Sequence, residues 1–75
     1  MKLILKHKDF QKNKIILEVD KEKKYILKYN NESVKNNNGR STVKDDNGNK
    51  RKIFLDSKNI DIFIDEKEKG DLLPH

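Results

Sequence analysis

The side chains able to do chemistry are few and scattered. A nucleophile paired with a base needs a Ser, Thr or Cys held beside it, and the chain offers no Cys and only His7 and His75 as imidazoles. His7 stands at the end of an extended run, where an ordinary surface position is expected. Asp56, Asp61 and Asp65 crowd one stretch. Along a strand, Asp61 and Asp65 would lie roughly 13 Å apart at ~3.3 Å per residue, too far to share an ion, so they read as solvated. Asp45-Asp46-Asn47-Gly48 opens like half a calcium loop, but that loop wants a Glu about six residues after the Gly, and Phe54 stands there. It reads as a turn. Gly39-Arg40-Ser41-Thr42 lacks the second glycine, the Lys-Ser/Thr pair and the helix start of a phosphate loop. No groups converge on catalysis, a metal or a cofactor, and the chemistry to expect is binding.

Charge is the stronger signal. The 75 residues carry a net charge of +5, and it is uneven: positions 1 to 52 hold fifteen Lys/Arg against seven Asp/Glu, positions 53 to 75 three against six. A basic front attracts phosphate or an acidic protein surface. The candidate basic surface is Lys6, Lys8, Lys12, Lys14, Lys28, Arg40, Lys50, Arg51 and Lys52. Sixteen Lys against two Arg, with nine Asn and eight Ile, is also what an AT-rich genome writes. Without Cys there are no disulfides, and an intracellular, cytoplasmic setting is expected. The apolar runs are far shorter than the ~20 residues that cross a bilayer, so no membrane partner is expected.

The elements that must position these groups are strands. Period-two alternation marks Met1 to His7, Ile15 to Val19, Tyr25 to Tyr29, Ser41 to Lys44, Lys50 to Asp56 and Ile60 to Asp65. Asn47-Gly48 between two such runs signals a tight hairpin in which both central residues take positive φ. Residues 30 to 40, rich in Asn and Gly, read as a long flexible loop, and 66 to 75 as a charged tail that makes one helical turn or trails. The fold expected is an all-β single domain over residues 1 to 65: a five- to six-stranded antiparallel meander forming a small barrel or roll, with an open twisted sheet as the fallback. Its core would be Leu3, Leu5, Ile15, Leu17, Val19, Tyr25, Leu27, Tyr29, Ile53, Leu55, Ile60, Ile62 and Ile64.

Five large apolar residues have the opposite parity: Ile4, Ile16, Ile26, Phe54 and Phe63. Side by side they would make an external apolar stripe, of a kind monomeric proteins rarely leave open to water. Cover by the tail, scatter around a barrel, a homodimer face and a docking site for a protein partner are the alternatives. The first function to expect is a non-catalytic interaction protein using this stripe and the basic surface on a partner with an acidic patch. In style, though in no specific residue, the chain resembles the small proteins that phages and mobile elements use to inhibit host machinery such as nucleic-acid-handling enzymes. The alternative is a small basic β-barrel that binds RNA or DNA directly and nonspecifically, since Arg, the usual reader of base edges, is scarce. Against it stands the expected placing of Phe54 and Phe63 among isoleucines, away from basic neighbours.

Overall fold

The computed structural model describes residues 1–75 and contains nine strands and no helix: β1 (Lys2–Lys6), β2 (Ile15–Val19), β3 (Tyr25–Tyr29), β4 (Glu32–Ser33), β5 (Arg40–Lys44), β6 (Lys50–Asp56), β7 (Asp61–Ile64), β8 (Glu68–Lys69) and β9 (Asp71–Pro74). They form two antiparallel sheets, ordered β4-β3-β2-β1-β9 and β5-β6-β7-β8. No barrel closes. Open twisted sheets take its place, packed through their inner faces. With no helix at all, none is long and apolar enough to cross a membrane.

The inner residues of alternating strands supply the core. Leu5, Ile15, Leu17 and Leu27 come from the five-stranded sheet, and Val43, Ile53, Ile62 and Ile64 from the four-stranded one. Phe10, on the polar connection between β1 and β2, completes the cluster and is 2% exposed. Leu3, Val19, Tyr25, Tyr29, Leu55 and Ile60 pack against it, as their parity requires. Ile60 does so at φ 56°, in the left-handed region that a β-branched side chain disfavours.

The segment 30 to 40, expected to be a flexible loop, is folded into two tight turns. Asn30 and Asn31 both take positive φ (48° and 69°), which brings Glu32 back opposite Tyr29 and creates β4. The turn is anchored, because Asn30 Oδ1 accepts from the Lys14 amide at 2.9 Å while the Asn30 amide donates to the Lys14 carbonyl. Asn38 and Gly39 (53° and 82°) repeat the geometry between Asn37 and Arg40, whose backbones exchange two hydrogen bonds. A side chain at Gly39 would place its Cβ 2.8 Å from the Leu55 carbonyl oxygen, so the close approach requires glycine. At Asn47-Gly48 the expectation is half met: only Gly48 is left-handed, and the Gly48 amide donates to the Asp45 carbonyl within the five-residue connection from Asp45 to Asn49.

The carboxyl end neither trails nor turns helical. It forms β9, antiparallel to β1, with Leu3 opposite Pro74, Ile4 opposite Leu73, Leu5 opposite Leu72 and Lys6 opposite Asp71. Leu72 reaches the core, and the pairing satisfies the second edge of β1. Gly70 lets the chain pass from one sheet to the other; a Cβ there would sit 2.3 Å from the Leu5 side chain.

Candidate nucleic-acid interface

The five residues expected to form one stripe lie on two sheets. Ile4 and Ile16 face each other across β1 and β2, and Ile26 lies one row away opposite Glu18. Phe54 and Phe63 pair across β6 and β7 in the other sheet. The single stripe is therefore corrected to two separate surfaces: alternation gives a residue's side of its strand, not the sheet that the strand joins. Ile16 is already 8% exposed, while Ile26 is 42% exposed.

The separation changes the company the two phenylalanines keep. In the four-stranded sheet the register sets Arg40 opposite Phe54, Phe54 opposite Phe63, and Phe63 opposite Lys69. One row thus crosses four strands as Arg-Phe-Phe-Lys. The rings are half-buried, with centroids 6.3 Å apart and planes inclined by 31°. The Arg40 guanidinium lies 4.9 Å from the Phe54 ring centre, and a shallow cavity of about 290 Å³ opens between Arg40, Phe54, Phe63 and Glu66. On the same side, two and four residues along β5 and β6, Thr42 faces Lys52 and Lys44 faces Lys50. Beyond the aromatic row the sign reverses, with Asp56 opposite Asp61.

Most of the positive charge on this face is free. Lys44, Lys50 and Lys52 are exposed and take part in none of the chain's ion pairs. Arg40 is held by Glu66, Nε to Oε1 2.6 Å, and Lys69 by Asp61 at 3.5 Å. The Arg40 guanidinium draws the Glu66 carboxyl below its ordinary range.

The remaining basic candidates divide. Arg51, expected on the basic surface, is a structural hub. Its parity on β6 is that of Ile53, so it points inward, where Nη1 meets Asp9 at 2.9 Å and Asp45 at 3.1 Å while Nε meets Asp65 at 2.8 Å. Asp9, then Asp65 and Asp45, stabilise its charged form and raise its affinity for the proton despite partial burial. Asp45 itself is 2% exposed; burial opposes its charge, but the amides of Asn49 and Asn47 and the Arg51 guanidinium outweigh it and hold the carboxyl below its usual range. Asp46 accepts three backbone N–H bonds, from Gln11, Lys12 and Asn13, and ties the β5–β6 turn to the β1–β2 connection. Both carboxylates of the calcium-like tetrapeptide are therefore committed within the chain. Lys28 pairs with Glu18 at 3.1 Å, and Lys12 is exposed on the connection. Lys6, Lys8 and Lys14 surround a groove on the other sheet.

His7 also departs from expectation. Its side chain is buried, with Nδ1 accepting from the Asp9 amide and Nε2 3.0 Å from Glu68, so the ring joins β1 to β8. Register adds Lys44, opposite Lys50, to the basic-surface set, and it alone reveals Lys69, opposite Phe63. Protein-family models, curated proteins and solved structures give no match to this chain.

Proposed function

We propose that the protein is a non-catalytic basic β module that binds single-stranded RNA or DNA, without reading its sequence, across the outer face of the four-stranded sheet. The observation that carries this reading is the row Arg40, Phe54, Phe63, Lys69, flanked by the free lysines 44, 50 and 52. Proteins that hold single strands combine a basic track for phosphates with aromatic faces for bases, each stacked base contributing about 1–3 kcal/mol. Here Phe54 and Phe63 offer the faces, Arg40 holds a cation over one of them, and Lys52, Lys50 and Lys44 lead away as phosphate contacts. The Asp56 and Asp61 pair repels the backbone and ends the track. A duplex keeps its bases stacked on one another and gains only the lysine contacts, so single strands bind tighter. The face has a single guanidinium, so the bidentate contacts that read base edges are scarce. An intracellular setting belongs to the same reading.

The test is fluorescence anisotropy with a labelled oligothymidine and a duplex of equal length, at about 50 mM salt. The single strand binds tighter than the duplex, and Phe63→Ala weakens single-strand binding about 5- to 150-fold, the equivalent of one lost stacking contact. Matched circular-dichroism melts establish that the variant is folded. No binding at this salt, or equal affinity of variant and native protein, overturns the proposal.

A further inference from the structure

The other sheet carries a surface of different chemistry. On its outer side, Leu73, Ile4 and Ile16 form a row across β9, β1 and β2, and Leu73 is 44% exposed. Beside the row a groove of about 540 Å³ is lined by Ile4, Leu73 and Phe10 and bordered by Lys6, Lys8 and Lys14, with Asp71, opposite Lys6 in register, as its one carboxylate. None of these three lysines forms an ion pair within the chain, whereas Lys2 and Lys28 share Glu18 on the same sheet. Three ammonium groups against one carboxylate leave the groove net positive, and desolvating its apolar floor is favourable when the arriving surface brings both apolar atoms and carboxylates.

We infer that this face docks an acidic polypeptide segment bearing large apolar side chains. Nucleic acid fits it poorly, because its aliphatic row gives bases no aromatic face on which to stack, and Phe10 is only 2% exposed. A second copy of the chain also fits poorly. A two-fold pairing would bring together two copies of a patch that holds three lysines and one carboxylate, and that excess of like charge disfavours association. A Leu side chain seated between Ile4 and Leu73, with Glu residues on either side reaching the lysines, satisfies both requirements of the groove. This inference stands apart from the nucleic-acid face, since the two surfaces share no residue.

Anisotropy of three short labelled peptides tests it: one of Glu and Leu, one with Ser replacing Leu, one with Lys replacing Glu. The Glu/Leu peptide binds, and each of the others binds at least about tenfold more weakly. The charge reversals Lys8→Glu and Lys14→Glu together, on the β1–β2 connection, produce a similar loss, as does Leu73→Ser independently, whereas Phe63→Ala leaves peptide affinity unchanged. Failure of the Glu/Leu peptide to bind, or equal binding of the Glu/Ser peptide, overturns the inference. So does an oligonucleotide whose affinity falls with the two lysine reversals and not with Phe63→Ala. Sedimentation showing a dimer that Leu73→Ser dissolves would assign the face to a second copy and overturn it as well.

Discussion

The salt dependence of strand binding can be worked out from the four-stranded sheet before any measurement. Three cations on the outer face are free, Lys44, Lys50 and Lys52, and two more, Arg40 and Lys69, are held by carboxylates of the chain. Each phosphate neutralised on a single strand contributes about −0.7 to the slope of log affinity against log salt. Three contacts give a slope of about −2, and five, if phosphate displaces Glu66 and Asp61, about −3.5. Raising salt from about 50 to about 200 mM then weakens binding about 20-fold in the first case and about 130-fold in the second. Anisotropy with labelled oligothymidine at several salt concentrations yields the slope directly. Replacing Lys44, Lys50 and Lys52 together by Ala should flatten it by about 2 while leaving the melting temperature close to native, since all three are exposed. A native slope shallower than about −1, or one the triple variant leaves unchanged, would refute the assignment of this face.

Other expectations follow from single contacts. Glu66→Gln frees Arg40 for phosphate and should raise oligonucleotide affinity severalfold at low salt; an unchanged or lower affinity in an equilibrium titration counts against Arg40 as a contact. Arg51→Met leaves Asp9, Asp45 and Asp65 without their cation and should cost about 2–3 kcal/mol in urea unfolding, discounted for the solvated Asp65 side, with strand affinity retained by the folded fraction. The Glu18 carboxyl is lowered by Lys28 and Lys2, and that of Asp46 by the amides of Asn13, Gln11 and Lys12. Groups lowered on folding stabilise the protein above their unfolded values, near pH 4, and that stabilisation is lost as pH falls through the folded values; Asp46→Asn should flatten this acid limb in melts recorded against pH. Gly70→Ala should destabilise by about 1–3 kcal/mol through its clash with Leu5, which urea unfolding measures and Leu5→Val should partly relieve.

The alternation of Ile15 to Val19 or of Ile60 to Asp65 is enough to mark a strand, because a half-buried strand has one requirement per residue and the side chain states it. The turns were harder to read. Asn30-Asn31 and Asn38-Gly39 use the same residues that make disordered loops, and what distinguishes them is the anchoring of Asn30 to Lys14 and the fit of Gly39 against Leu55, both long-range. Leu72 and Leu73 are too short a run to announce β9, and their partner β1 lies at the far end of the sequence. The candidate site was legible by residue and not by arrangement. Phe54 and Phe63 stand out by parity, but whether isoleucines or lysines surround them depends on which strands share a sheet. Arg51 looked like one basic residue among many, since the aspartates that claim it come from three separate segments.

The pairing of β1 with β9 has a consequence for how this molecule comes into being. Amino-terminal residues emerge from the ribosome first, yet the backbone edge of Leu3 to Lys6 finds its second neighbour only once Asp71 to Pro74 have been synthesised. A nascent chain stopped at residue 65 would hold a bare strand rim beside Ile4 and a hole where Leu72 belongs, a template for joining another unfinished copy. The pairing joins segments more than sixty residues apart, from Lys6 with Asp71 to Leu3 with Pro74, and so distant a contact slows folding. Deleting Asp71 to Pro74 should convert a well-behaved protein into an aggregating one.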